Sequence, residues 1–445
     1  MIRSAEPLLG SIKLSNNAPS RGSALRRRDA LSVAFWVWAC CLIGLALPVG
    51  AQDWPQFLGP NRNGSTSDAK LAAQWPKEGP PVAWQRKVGQ GFAGPVVSGG
   101  KLVLFHRIDD REVVECLDAS SGRELWKKEY PTHYVDDFHF DPGPRGTPAI
   151  AGGRIYTFGA EGVLSCWLLA DGAKPWSVDT KKEFGARKGF FGPACSPLVE
   201  GNAVILNIGG REAAGIVAFD RETGKVLWKT SGDEASYASP VVAGIGGRRV
   251  VFVLTREALE ALNPADGKSI AHYPWRPAMH ASVSGATPLV MGDLVFLTAS
   301  YDTGGTLLRW KGGALEKVWS GEEGISAHYA TPVHREGMLY GFDGRADPGF
   351  QPPPSLRCVE LQSGKVRWSE EGLKAGTVTL AGNQLLVLTG AGELIRAPAT
   401  PDGFKSSGRV QILGVEARAH PALADGLFYA RSKDKLVCVD LRKKP

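Results

Sequence analysis

The chain is short of sulfur: 445 residues hold 7 Cys and 4 Met. Cys40 and Cys41 fall in the N-terminal leader, so the body keeps Cys116, Cys166, Cys195, Cys358 and Cys438. An odd number argues against a disulfide framework. There is no Cys-x-x-Cys-His, which excludes covalent haem attachment of that kind. A Gly-x-Ser-x-Gly elbow is missing, and no nucleotide-binding glycine pattern or Walker loop stands out, because the glycines sit at repeat spacing. Charge of one sign is also scarce. The formal balance is +7, but residues 1–51 carry Arg3, Lys13, Arg21, Arg26, Arg27 and Arg28 against Glu6 and Asp29, so the leader supplies +4 of it. The body is nearly neutral, which argues against nucleic acid as a partner. Gly 55 and Pro 30 make up about a fifth of the chain, below the level of disordered sequences.

What is present begins with an address. Arg26 to Arg28 precede an uncharged run from Ala30 to Ala51 that ends Pro48-Val49-Gly50-Ala51. A basic end, an apolar stretch and small residues before the cut describe a secretory signal peptide over residues 1–51, with the mature start near Gln52. The competing expectation is an uncleaved membrane anchor, with membrane contact through residues 30–51, since about 20 apolar residues span a bilayer. Either way the body is expected to be periplasmic or secreted.

Self-comparison carries the fold. Ala218-Phe219-Asp220-Arg221-Glu222-Thr223-Gly224-Lys225-Val226-Leu227-Trp228 recurs in degraded form around Cys116 and Trp126, Cys166 and Trp176, Ala261 and Gly267, Cys358 and Trp368, and finally Cys438. Upstream of these stands a small residue followed by Pro95, Pro148, Pro197, Pro240, Pro288, Pro332 or Pro421, at gaps of 53, 49, 43, 48, 44 and 89. The last gap is two repeats long, and Thr379 is expected in the place of the missing proline. Eight units of this period mean a propeller or solenoid. Turn dipeptides such as Gly201-Asn202 and Gly292-Asp293 between alternating apolar runs give four short strands per unit, which is a propeller blade. The eighth unit stops before its last strand, and Trp84 to Gly89 is an orphan strand at the other end. Pairing the two closes the ring and removes an exposed edge. The expectation is an all-β, eight-bladed propeller of four-stranded antiparallel blades over residues 82–445, preceded by a lead-in segment, 52–81. Seven blades is the alternative.

The segment Ala218 to Trp228 fits Ala-x-Asp-x-x-Thr-Gly-Lys-x-x-Trp, and through it the chain resembles the pyrroloquinoline-quinone-like repeat superfamily, in size its non-enzymatic, BamB-type branch. Trp54-Pro55-Gln56-Phe57-Leu58-Gly59-Pro60 also resembles the opening of many secreted bacterial members. The resemblance implies that Trp84, Trp126, Trp176, Trp228, Trp319 and Trp368 pack between neighbouring blades. Quinoprotein dehydrogenases of the superfamily place an adjacent Cys pair and a calcium site of Glu, Asn and Asp beside the quinone. Here the adjacent pair is Cys40-Cys41, in the leader, so no residue is carried over as catalytic.

Two candidate sites follow from the residues. The connection from Glu129 to Gly146 is dense in His133, Asp136, Asp137, His139 and Asp141, a set able to hold a divalent cation or polar ligand, with a solvated loop as the plainer reading. Residues just before the small-residue–Pro anchors, namely Arg145, Tyr237, His280, His328, Arg418 and His420, are expected to converge on one mouth of the axial channel, where propellers bind ligands. The functional expectation is an exported, monomeric, non-catalytic scaffold for an envelope protein or polysaccharide. The alternative is a dehydrogenase using pyrroloquinoline quinone with calcium at the same mouth.

Overall fold

The computed structural model describes residues 53–442 apart from 68–70, 281, 348 and 350. The leader lies outside the described residues. Among them the longest α-helix is Thr180–Phe184, and no helix is long and apolar enough to cross a membrane.

Eight antiparallel sheets follow one another along the chain. Blade one runs from Val96–Ser98 to Glu124–Pro131, blade two from Ala149–Ala151 to Trp176–Asp179, and blade three from Leu198–Glu200 to Val226–Thr230. Blade four spans Val241–Ile245 to Ser269–Pro274, blade five Leu289–Met291 to Ala314–Gly321, and blade six Val333–Arg335 to Val366–Glu370. Blade seven spans Thr377–Ala381 to Gly408–Gln411. Blade eight takes three strands from Ala422 to Asp440 and its outermost strand, Val82–Lys87, from the other end of the chain. Trp84 sits opposite Cys438, so the ring closes as its truncated last repeat requires. The eight-bladed reading holds, and the seven-bladed alternative falls.

The apolar core lies between blades. Each buried cluster joins side chains of neighbouring sheets, for example Phe158, Leu164, Leu206 and Phe219 of blades two and three. Successive sheets are locked by the repeat tryptophans. The indole N–H of Trp84, Trp126, Trp176, Trp228, Trp319 and Trp368 donates to a carbonyl of the following blade, at Ala119, Leu169, Arg221, Pro264, Leu361 and Thr400. Five of these rings cover a turn glycine, Gly122, Gly172, Gly224, Gly267 or Gly364, so closely that a Cβ there would lie within about 3.1 Å of ring atoms. Cys116, Cys166, Ala218, Cys358 and Cys438 face Trp126, Trp176, Trp228, Trp368 and Trp84 across the hairpin, while Trp319 faces Leu307. Burial raises the Cys116, Cys166 and Cys358 thiols to about 11. The junction of blades four and five is reversed. Ala271 stands at the tryptophan position, and Trp310 of blade five reaches back to Phe252 and the Gly246 turn instead.

Pro421 is preceded by His420, but the small residue before each of the other six prolines has a definite task. Gly94 N–H donates to Thr147 Oγ1, Thr147 N–H to Ser196 Oγ, Ser196 N–H to Ser239 Oγ, Ser239 N–H to Thr287 Oγ1 and Thr287 N–H to Thr331 Oγ1. These hydroxyls satisfy buried backbone donors from blade to blade. Blade seven corrects one expectation. Pairing of Ala381 with Gln384 across its turn puts Val378, not Thr379, in the proline position. Without proline the innermost strand keeps its N–H groups and begins at Thr377, ahead of the proline position, whereas the others begin after it.

The lead-in segment crosses the end of the ring near the innermost strands. Trp54 bridges Val97 of blade one, Ile150 N–H of blade two donates to Pro55 O, and buried Arg62 donates to Ser196 O and Pro197 O of blade three. Ser65–Thr66 then adds a parallel strand to Leu380 and Ala381 of blade seven.

Candidate functional site

The antiparallel meander puts every blade-to-blade connection, and the hairpin between the second and third strand of each blade, at one end of the ring. Those loops enclose a cavity of about 480 Å³. Phe57 of the lead-in segment contributes to its lining, with its ring edge-on to His420 at 5.0 Å. Of the six residues expected at the mouth, Arg145, Tyr237, His328, Arg418 and His420 line this cavity. His280 does not. It is exposed and borders a neighbouring cleft of about 260 Å³ with Arg187, Lys188, Glu234 and Arg256.

The walls are aromatic. Phe138 stacks on Phe191 at 5.2 Å, Phe92 lies 5.7 Å from Phe140, and Tyr301 and Tyr329 flank His328 at 5.6 and 5.8 Å. The Tyr237 hydroxyl accepts the N–H groups of Phe190 and Phe191, which fixes the Lys181 to Pro193 loop over the cavity.

Three guanidinium groups enter this wall, each in a different state. Arg145 reaches Asp136 at 3.3 Å and Asp141 O at 3.1 Å, with Phe92 and Phe191 each 5.7 Å from it. Arg345 lies 4.2 Å over Tyr301 and pairs with Asp347 at 2.7 Å. Arg418 lies 4.6 Å over Phe140 and 6.0 Å from Tyr329, and among the described residues no carboxylate comes within ion-pair distance of it.

The imidazoles are neutral. Burial pulls His328 and His420 down to about 4. Nδ1 of His328 accepts the N–H of Ala346, which leaves the ring proton on Nε2, facing the Tyr301 hydroxyl at 3.0 Å. Asp347, 3.8 Å away, works against the shift, and Arg345 and Arg418 add to it.

The 129–146 loop does not gather its ionisable groups on one point. Asp136 turns inward and accepts the N–H groups of Phe138, Phe140 and Asp141. Burial alone would raise its pKa, but those donors and Arg145 outweigh burial and hold it low. Asp141 accepts the Gly143 N–H. Asp137 pairs with Lys188 at the surface, and His133 and His139 are exposed. Among the described residues no group of three or more His, Cys, Asp or Glu is placed to hold a metal. What this loop does is present Phe138, Phe140 and Arg145 to the cavity. Tyr301, Tyr329, Arg345 and Asp347 line the cavity without having been singled out in the sequence. Three of them sit in hairpins between second and third strands, which lie outside the proline-anchored register that flagged the others.

Residues 110–370 match the family model described as outer membrane protein assembly factor BamB. Among solved structures, BamB from Moraxella catarrhalis superposes over 81% of this chain and 99% of its own, with a TM-score of 0.59 and 14% identity. A europium-containing methanol dehydrogenase superposes over 87% of this chain and 89% of its own, with a TM-score of 0.59 and 12% identity. At such identities the likeness is one of fold. In sequence, 156 residues are 30% identical to quinohemoprotein alcohol dehydrogenase ADH-IIG of Pseudomonas putida, and 143 are 32% identical to the dehydrogenase subunit of a quinone alcohol dehydrogenase of Gluconacetobacter polyoxogenes. These stretches cover 33% and 30% of this chain, and the match spans about a fifth of either relative's length. With more than half of its residues inside that family model and a closed ring of eight four-stranded blades, the chain belongs to the BamB family of quinoprotein-like β-propellers.

Proposed function

We propose that the protein is a non-catalytic binding propeller, exported to the cell envelope by its leader, that engages a protein partner through its mouth face. The observation that carries this reading is the character of that face. Val135, Phe138, Met279 and Val415 are exposed on its loops, around a cavity whose ionisable groups are mostly held in structural pairs. Exposed apolar side chains clustered at a rim mark an interaction site. A polysaccharide is the other partner class such a face admits.

The rival reading is a calcium-assisted quinone dehydrogenase, and the donor set does not suit it. Calcium takes 6–8 oxygen ligands, several of them carboxylate. The cavity lining offers one carboxylate, Asp347, and Arg345 already holds it. The five body cysteines are free and buried, with no adjacent pair among them. The test is dye-linked alcohol oxidation by the full chain after incubation with pyrroloquinoline quinone and calcium. No calcium-dependent dye reduction is expected, and sustained turnover would overturn the reading.

A further inference from the structure

We infer that a further cleft at the mouth end of the ring binds hydrogenphosphate, held by Lys181, Arg187, Lys188 and the Tyr134 hydroxyl. The cleft lies between the 129–146 loop, the 159–162 hairpin of blade two and the Lys181 to Pro193 loop. It shares no lining residue with the axial cavity and is independent of the function proposed for the mouth. At about 250 Å³ it falls below the range of sites for drug-sized molecules and suits a compact ion.

The charges around it fix the sign of the ligand. Lys181, Arg187 and Lys188 line the cleft against one carboxylate, Glu161. The partners of Arg187 and Lys188, Glu234 and Asp137, border the neighbouring cleft instead, and both pairs are exposed, so an anion displaces them at little cost. Tyr134 supplies an independent sign of a ligand. It is 3% exposed, Lys188 Nζ lies 5.7 Å from its ring centroid, and its main chain is engaged, the N–H with Thr132 Oγ1 and the carbonyl with Arg107. Its hydroxyl alone has no partner among the described residues. Burial pushes that phenol well above its ordinary range, so it keeps a hydrogen for an acceptor, and an unpartnered buried hydroxyl is a cost that a bound oxyanion relieves. Glu161 narrows the oxyanion. Its Oε2 accepts the Thr132 hydroxyl at 2.9 Å and the His133 N–H at 3.1 Å, which leaves Oε1 for a donor. Sulfate brings no hydrogen and is repelled. Hydrogenphosphate brings one at neutral pH, whereas a phosphate monoester, with a second pKa of about 6, has mostly lost its own.

The experiment is calorimetric titration of the full chain with inorganic phosphate, sulfate and glycerol 3-phosphate at neutral pH, on the wild type and on Tyr134→Phe, Lys181→Gln, Glu161→Gln and Lys182→Gln. The wild type is expected to bind one phosphate, at least about tenfold more tightly than sulfate or the ester. Tyr134→Phe removes a hydroxyl that the fold does not use, so it should weaken phosphate about tenfold with the melting temperature in phosphate-free buffer unchanged. Lys181→Gln should weaken phosphate and sulfate alike, and Glu161→Gln should abolish the preference between them. Lys182→Gln, at an exposed lysine outside the cleft, should change nothing. Absence of phosphate binding, equal affinity for phosphate and sulfate, tighter binding of the ester, or undiminished affinity in Tyr134→Phe would overturn the proposal. Equal losses in Lys182→Gln and Lys181→Gln would mark an adventitious ion only, on a basic surface, and would overturn it as well. None of these touches the non-catalytic reading, which falls on quinone-dependent turnover instead.

Discussion

At the scale of single residues, the stability of the ring rests on the meeting of an indole with a glycine. Gly267 has φ of 69° and lies under Trp228, where a Cβ would come to 2.4 Å from the ring, whereas Gly292 has φ of 61° and open space. Gly292→Ala should lose about 1 kcal/mol, from the left-handed backbone alone. Gly267→Ala should lose about 1–3 kcal/mol more, from overpacking. Denaturant midpoints of the two variants check this, and equal losses would contradict the latch. The buried imidazoles make a second prediction. The native pKa of His420, about 4, lies below the ordinary 6.5, so the neutral ring stabilises the fold above pH 6.5 and that contribution is lost as pH falls toward 4. By pH 5 the loss is on the order of 2 kcal/mol. Buried Glu112 and Asp343, whose pKa values are raised by burial, act in the opposite direction. The clean observable is therefore a difference: His420→Gln should lose less stability than the wild type between pH 7 and pH 5, and parallel profiles would contradict the account.

At the scale of elements, blades and their closure were legible from the sequence because each rests on a local rule repeated along the chain. The Thr-Gly-Lys turn, the cross-strand small residue and the latching tryptophan are all in Ala218 to Trp228. The mouth was legible only in part. Arg145, Tyr237, His328, Arg418 and His420 share the register set by the small residue and proline, while Tyr301, Arg345 and Asp347 come from hairpins of irregular length that follow no such register. His280 lies farther ahead of its proline, Pro288, than the others do of theirs, and the 275–288 connection places it at the adjacent cleft beside Arg276 and Arg256. The acid-rich loop deceived composition in another way. Asp136 spends both oxygens, and Asp141 one, on the loop's own N–H groups, which a list of residues does not reveal. Closure carries the prediction at this scale. Trp84 belongs to a strand contributed by the other end of the chain, yet it makes the same indole bond and covers the same turn glycine as its internal counterparts. Trp84→Ala should destabilise the ring by about 3–5 kcal/mol, as much as Trp228→Ala, in equilibrium unfolding. A near-neutral Trp84→Ala would mean that the N-terminal strand is an accessory.

At the scale of the whole molecule, the ring has two unlike faces. The glycine turns and tryptophan latches sit at one end and serve stability. The aromatic cavity and its apolar rim sit at the other, and the buried belt of Ser and Thr hydroxyls holds the blades that carry them in register. The most direct test of this division is partner capture from envelope extract with immobilised full chain, comparing the wild type with Phe138→Asp/Val415→Asp on the rim and Lys225→Glu/Lys268→Glu on the opposite face. Both variants should fold with wild-type melting behaviour, since all four positions are exposed. The account predicts a protein retained by the wild type and by the opposite-face variant and lost from the rim variant. Retention by the rim variant, with loss from the opposite-face variant, would contradict it.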